Sequence, residues 1–447
     1  MFILNCGANG IAADAILLKT NYTKSQSTSY SGNNEVNVKE SKTSKVRFYE
    51  AVCDTNQDHN DAAVRITSSI HLFLNKAATY CKGKKSTFGR AKPLLAFDPC
   101  LMSITRENND FNTKLIEHVL PLAYNIADEN GVDIAICIPD EDSHGFVQKL
   151  RDDLCPFEKG PFWMLNNSQH DNASRLSTAV KAGRLSVFIG AGISIPSGAP
   201  SWDDLLNILA KEVGMNEEDC KNLGKLDVLD RPTIIADEMG GGFKSAVADV
   251  MNRSTLYTPC HVLLKTFQLP AVTSNYDNLY ESAAASCGQC IPTLPWDSRN
   301  MIYTNQEEGT SLLKLHGCVD YPESIIISRA DYMRYPDSYQ ALRGRLQGMF
   351  LTTEMLFCGF SMTDDNVNKV IDDVRKVLYQ HNGKPPENKM GTILKMTDNK
   401  MFTRLWEQDF QVHSFGKSWD DHPNWYHDCF IDCIVADFTK NEDNIEE

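Results

Sequence analysis

The stretch Ser186-Val187-Phe188-Ile189-Gly190-Ala191-Gly192-Ile193-Ser194 constrains this chain more than any other. It reads as a buried strand that ends in a small-residue turn, and Ser197-Gly198-Ala199-Pro200-Ser201-Trp202 then leads into a helix. Glycines at 190 and 192 let the backbone approach a bulky anion, and successive N–H groups can converge on a phosphate. A helix opening near Trp202 would add its positive end. A nucleotide diphosphate is therefore the first ligand class to consider. Yet Ile195 stands where the third glycine of G-x-G-x-x-G belongs, and no carboxylate closes a second strand about 20 residues on. No Gly-Lys-Ser/Thr follows the turn either. A plain tight turn explains the glycines equally well until the rest of the chain is read.

Three later segments repeat the layout of an apolar strand with polar residues just past its carboxyl end. They are Leu269-Pro270-Ala271-Val272-Thr273-Ser274-Asn275-Tyr276-Asp277, Leu312-Leu313-Lys314-Leu315-His316-Gly317, and Met355-Leu356-Phe357-Cys358-Gly359-Phe360-Ser361-Met362-Thr363-Asp364. Open α/β sheets bind ligands in the crevice beyond the carboxyl ends of their strands. Four polar strand ends thus predict an α/β, Rossmann-like, doubly wound and mostly parallel sheet whose rim carries a site. Taken singly, Asn275 and Asp277 also fit caps on a helix starting near Leu279, Asp364 fits a cap before Asn366-Val367, and His316 fits a turn histidine.

In their order along the chain, these motifs resemble those of the sirtuin-like (SIR2) superfamily, in particular its branch of short, zinc-free NAD-consuming domains. The matching residues are Gly190-Ala191-Gly192-Ile193-Ser194 with Pro200-Ser201-Trp202, then Thr273-Ser274-Asn275-Tyr276-Asp277, Leu315-His316-Gly317, and Gly359-Phe360-Ser361 with Asp364. The resemblance covers residues 173–447 and implies NAD+ as the molecule consumed. It implies that Gly190, Ala191 and Gly192 hold the diphosphate, with Ser194 and Trp202 beside them. Asn275 would position the ribose and the attacking group, Asp277 would orient, and His316 would act as general base. Gly359, Ser361 and Asp364 would contact the ribose-phosphate or adenine side. Cleaving the nicotinamide–ribose bond creates an oxocarbenium-like centre, so a protein must orient the ribose, exclude bulk water and present one nucleophile. An imidazole with an ordinary pKa near 6.5 suits the base role.

Departures from the protein-deacylating sirtuins select the acceptor. Those enzymes carry a four-cysteine zinc module after the His-Gly motif. Here the one C-x-x-C, Cys287-Gly288-Gln289-Cys290, precedes His316 and has no second pair at zinc spacing. From Gly317 the chain runs through Asp320-Tyr321-Pro322 to an expected strand at Ile325-Ile326-Ile327-Ser328, and Ser274 replaces the glutamine usual before the catalytic asparagine. Water is thus the expected acceptor, no zinc is expected, and the products would be ADP-ribose and nicotinamide. The alternatives are an NAD-dependent deacylase, which needs an acyl-peptide, and a non-catalytic nucleotide sensor or filament-forming scaffold, which would bind without turnover.

With 447 residues, 42% hydrophobic, the chain is long enough for two domains with sizeable cores. A net charge of −15 without a dense basic cluster argues against direct nucleic-acid binding. The 14 cysteines form no disulfide framework and point to a reducing, cytoplasmic setting. No apolar stretch reaches membrane-spanning length, and Met1-Phe2-Ile3-Leu4-Asn5 lacks a basic leader region. His422, His427, Cys429 and Cys433 invite a metal reading, but the surrounding Phe430, Ile431, Ile434 and Val435 make the cysteines core residues of a helix, so no metal is expected.

Residues 1–165 alternate expected strands (Phe2–Leu4, Val46–Tyr49, Leu94–Phe97, Val132–Ile138) with expected helices (Ala62–Ala78, Asn112–Glu129, His144–Leu154), which predicts a smaller α/β domain. Within it, residues 20–45 read as a long loop or disordered insert, and Gly7-Ala8-Asn9-Gly10 as a plain turn. The polar residues 166–172 read as a linker ahead of the NAD-binding domain. Such an arrangement resembles defence effectors that deplete NAD during infection or stress. An activity of that kind needs restraint, which predicts a homo-oligomer or an activator acting through the N-terminal domain.

Overall fold

The computed structural model describes residues 1–20, 36–40, 46–52, 59–99, 109–297, 311–379, 388–418 and 422–439. Six strands form a first sheet: β1 (Phe2–Leu4), β2 (Ala15–Thr20), β3 (Val36–Glu40), β4 (Arg47–Val52), β5 (Leu94–Phe97) and β6 (Asp133–Cys137). Their order is β1-β6-β5-β2-β4-β3, parallel except for β3. A second sheet holds β7 (Leu185–Ile189), β8 (Ala271–Thr273), β9 (Thr293–Leu294), β10 (Leu312–Lys314), β11 (Glu354–Cys358), β12 (Gly391–Thr397) and β13 (Phe410–Gly416). Its order is β13-β12-β11-β7-β8-β10-β9, parallel throughout.

The unbroken apolar run of β7 follows from burial on both faces. Leu185, Val187 and Ile189 point to one core and Phe188 to another, where its ring stacks on Phe357 of β11 at 5.1 Å. From β7 the chain first builds β8, β9 and β10 on one side, then returns to place β11 on the other. The reversal makes the carboxyl ends of β7 and β11 the switch point of the sheet, where the crevice of such a fold lies.

The two sheets share a continuous apolar layer. Phe2, Leu4 and Ile16 of the first pack in one cluster with Leu185 and Ile189 of the second and with Phe430 and Ile434 of the C-terminal helix Pro423–Thr439. That helix is bound to the first sheet's side by buried ion pairs, Arg151 Nη1 to Asp432 Oδ2 at 2.7 Å and Arg90 Nη1 to Asp428 Oδ2 at 2.9 Å. Cys429 and Cys433 are buried in it, as the residue pattern predicts. The Gly7–Gly10 turn leans on Tyr257, whose hydroxyl donates to Gly7 O at 2.5 Å, and Ile11 bridges Tyr257 backbone to backbone.

Three expectations change. Asn167–Lys181 is a helix with a capping box between Asn166 and Gln169, so the polar residues 166–172 cap and open a helix and are not an irregular turn segment. Asn and Ser there act as cap residues, a use their composition does not distinguish from a loop. Within 20–45, Val36–Glu40 pairs antiparallel with β4, while 21–35 and 41–45 lie outside the described residues. Ile325–Ser328 is no strand: its backbone is tied across the site instead, with Ile326 N–H donating to His316 O at 2.9 Å and Ile326 O accepting from Tyr276 Oη at 2.7 Å.

Candidate active site

At the switch point the glycines serve close backbone packing. A Cβ on Gly190 would lie 2.4 Å from Gly359 O, and one on Gly192 would lie 2.8 Å from the same atom. Gly359 has φ +66°, and its own Cβ would sit 2.7 Å from Ile193 N. Gly190→Ala is therefore expected to force the two loops apart and lower the melting temperature, which a thermal melt checks. The same packing corrects the picture of an open amide cradle. Gly190 N–H donates to Cys358 O, Gly192 N–H to Gly359 O, Ile193 N–H to Gly190 O and Ser194 N–H to Ala191 O, which leaves the Ala191 amide for a ligand.

The helix Trp202–Glu212 departs from expectation too. Two 3-10 turns, Ala191–Ile193 and Ile195–Ser197, separate it from the glycines. Its first amides are capped by Ser201, and Asp203 and Asp204 sit in its first turn, so its positive end is already neutralised. Trp202 contributes instead a buried indole N–H without a hydrogen-bond partner. Ser361 is exposed, its Oγ 2.6 Å from Thr363 Oγ1.

Asn275 and His316 share one rim. Thr273 and Lys314 are register partners on the adjacent parallel strands β8 and β10, and Asn275 and His316 each follow two residues later. Both are buried, at 8% and 2% exposure, and so is Asp277 at 7%. Asn275 Oδ1, Asp277 Oδ2 and His316 Nε2 are among the buried side-chain atoms that lack a hydrogen-bond partner, and these three share the rim. Unpaired buried polar atoms are costly and rare in a folded chain. Asp277 Oδ1 meanwhile caps Leu279 N–H at 3.1 Å, so the helix-cap reading holds for one of its oxygens.

Asp364 likewise divides its carboxylate. Oδ1 accepts from Val367 N–H at 3.0 Å as a helix cap, while Oδ2 accepts from Tyr332 Oη at 3.0 Å and lies 3.4 Å from His316 Nε2. The resemblance places Asp364 toward the ribose-phosphate; the fold places it beside the imidazole. Burial pushes the His316 imidazole below its ordinary value, and the Asp364 carboxylate pulls the other way. Burial and Asp364 together raise the Tyr332 phenol, which stays protonated to donate. The rings of Tyr332 and Tyr335 pack edge-on against His316 at 5.4 and 5.6 Å. The result is a buried imidazole, held below its ordinary pKa by burial, set between two tyrosine rings with the Asp364 carboxylate beside its Nε2.

Sequence reasoning missed this tyrosine pair and His261, because they come from helices whose approach to the rim no local spacing signals. His261 is held neutral, its pKa pushed by burial down to about 4, with Asp277 and Asp428 opposing. His144, fully buried beneath β1, is pushed by burial down to about 3. The unfolded chain binds protons at both near pH 6.5, where the folded chain does not. Their contribution to stability is present above that pH and is lost as pH falls from about 6.5 toward 4. The melting temperature should fall across that window, and less steeply in a His144→Gln variant.

Among the described residues, Cys260, His427 and Asp428 bring potential metal-ligand atoms within 4.8 Å of one another. The Arg90 guanidinium, 2.9 Å from Asp428 Oδ2, already supplies the positive charge there, so the cluster reads as an ion-pair network. No helix among the described residues is long and apolar enough to cross a membrane.

Residues 270–409 match the SIR2-like domain family. Among curated proteins, the chain is 31% identical over 226 residues to an "NAD(+) hydrolase ThsA" from Enterococcus faecium, covering 49% of this chain and 46% of that protein. It is 27% identical over 195 residues to a protein of the same name from Bacillus cereus, covering 42% and 39%. It is also 25% identical over 234 residues to "Defense-associated sirtuin 2" from Bacillus subtilis, covering 51% of this chain and 23% of that protein. The chain thus spans less than half the length of these relatives. The strands β8 to β12, with the polar loops that follow β8, β10 and β11, lie within this match.

Proposed function

We propose that this protein hydrolyses NAD+ at the nicotinamide–ribose bond, giving ADP-ribose, nicotinamide and a proton. The observation that carries the reading is that two buried polar atoms without a hydrogen bond, Asn275 Oδ1 and His316 Nε2, the latter beside the Asp364 carboxylate, lie at the ends of neighbouring strands. Asn275 Oδ1 accepts a hydrogen bond from the attacking water or a ribose hydroxyl and aims it at the anomeric carbon. His316 Nε2 takes the proton as the water attacks, and Asp364 Oδ2 stabilises the imidazolium that forms. The Ala191 amide meets the diphosphate, and burial excludes competing water. Relatives named NAD(+) hydrolase support the reaction class.

The loop after His316 supports water over an acyl-peptide as acceptor. Gly317, at φ +95°, approaches the Ser324 carbonyl so closely that a Cβ would lie 2.4 Å from it, and Cys318 N–H donates to Ser324 Oγ at 3.1 Å. The chain closes on itself where a deacylase would insert its zinc lobe. Twelve cysteines among the described residues form no disulfide, which supports a reducing, cytoplasmic setting. A role in defence rests on the name of one relative, "Defense-associated sirtuin 2", and assembly into a homo-oligomer or an activator acting through the N-terminal part would supply the control such an activity needs.

The test is incubation of the purified full chain with NAD+ alone and chromatographic analysis of products. Nicotinamide and ADP-ribose in equal amounts are expected. Turnover that appears only after an acyl-lysine peptide is added identifies a deacylase; binding without turnover identifies a sensor or scaffold; a cyclic product identifies a cyclase.

A further inference from the structure

We infer that His261 is a positioning residue of this site, acting on Asn275 through Ser194. The inference rests on the proposed NAD+ hydrolysis for its kinetic consequence, and on geometry alone for the contact.

His261 is the third residue of the helix Pro259–Thr266 and is wholly buried. Thr258 caps that helix, and the capping box is reciprocal: the Thr258 N–H donates to His261 Nδ1 at 3.1 Å. Thr258 Oγ1 donates to Ile193 O at 3.1 Å, which ties the cap to the glycine turn. Nδ1 faces both the Thr258 N–H and, at 2.8 Å, the Thr258 hydroxyl, and in the tautomer that accepts from this backbone N–H the neutral ring carries its proton on Nε2. Nε2 lies 3.3 Å from Ser194 Oγ, and in that tautomer donates to it. Asn275 Nδ2 donates to the same oxygen at 3.2 Å. Both lone pairs of Ser194 Oγ are then occupied by N–H donors, one from His261 and one from Asn275.

The chain Thr258–His261–Ser194–Asn275 is anchored at one end in a helix cap and at the other in the side chain that faces the substrate. A second tie runs through Thr273, whose Oγ1 accepts from Asn275 N–H at 3.0 Å and donates to Ile189 O at 2.8 Å. With Nδ2 donating to Ser194, Oδ1 is the amide atom left for the substrate. A histidine serves here better than the usual glutamate or glutamine of a capping box because its ring is rigid and donates from its far edge. Misplacement of a catalytic group by about 1 Å costs on the order of 100-fold in rate.

Two variants separate positioning from mere packing. His261→Asn keeps an acceptor for the Thr258 N–H but cannot reach Ser194. His261→Gln can still accept at the cap and extend an amide N–H toward Ser194. Steady-state nicotinamide release should show kcat lowered about 10- to 100-fold in His261→Asn with KM nearly unchanged, and kcat restored to within a few-fold in His261→Gln. Wild-type kcat in His261→Asn, or equal loss in both variants, overturns the inference. A second measurement does not depend on turnover. In protein labelled with 15N-asparagine, the Asn275 side-chain amide signal, assigned by its absence in Asn275→Ala, should move in His261→Asn and return toward its native position in His261→Gln. An unmoved signal overturns the inference even if the wild type hydrolyses NAD+. A moved signal in a protein that releases no nicotinamide upholds the contact and rejects the activity.

Discussion

Asn275→Ala is expected to lower NAD+ turnover by about 100- to 1000-fold, the loss usual when one preorganised polar group at a reacting centre is removed. The thermal melt should barely move. Truncation deletes one hydrogen bond to Ser194, worth about 1 kcal/mol net, but also removes an Oδ1 that the fold leaves buried and unpaired. A residue that is costly to the fold and indispensable to the reaction behaves in this way; a residue kept for stability does the reverse. His316→Ala should lose turnover to a similar degree, although loss of the ring packed against Tyr332 and Tyr335 will also lower stability. Nicotinamide release and melting temperature, measured on the same preparations, check both statements. Full activity in both variants rejects the site.

Arg151→Met carries the largest expected cost to stability. Arg151 and Asp432 are 0% and 1% exposed at their side chains, and their 2.7 Å contact joins the helix Glu141–Asp153 to the C-terminal helix. The guanidinium also lies over the Phe162 ring at 4.7 Å. Removing one partner of a buried pair strands the other charge, at a cost of about 3–5 kcal/mol. Burial already pushes the Asp432 carboxyl upward against the pull of Arg151. Without Arg151 that carboxyl takes up a proton more readily, so the destabilisation should be smaller at pH 5 than at pH 7. The double variant Arg151→Met/Asp432→Leu should recover most of the loss, because an apolar pair of similar volume needs no desolvation of charge. A melting temperature within a degree of wild type for the single variant would show that the two sheets are held together without this pair.

The sheet was legible in the residues because each core strand is short, apolar on both faces and followed at once by polar residues. Leu185–Ile189, Ala271–Thr273, Leu312–Lys314 and Glu354–Cys358 are strands, and the site residues follow their carboxyl ends. Asn166-Asn167-Ser168 was misleading because cap residues and linker residues are the same residues. Ile325-Ile326-Ile327 was misleading because a β-branched run fits any buried extended segment, and here its backbone bonds to His316 and Tyr276 rather than to a strand.

By itself, the sequence determined the α/β class, the parallel sheet and the order of four polar strand ends, because hydrophobic period and turn chemistry are local properties. Which groups meet was decided only in three dimensions. The order β11-β7-β8-β10 brings Gly359 against Gly190 and His316 beside Asn275, and helices distant in sequence deliver Tyr332 and His261. Asp364 became the neighbour of an imidazole, and the glycines became a backbone contact, for the same reason: a side chain's role is set by what packs against it, and packing partners far apart along a chain leave no trace in local spacing.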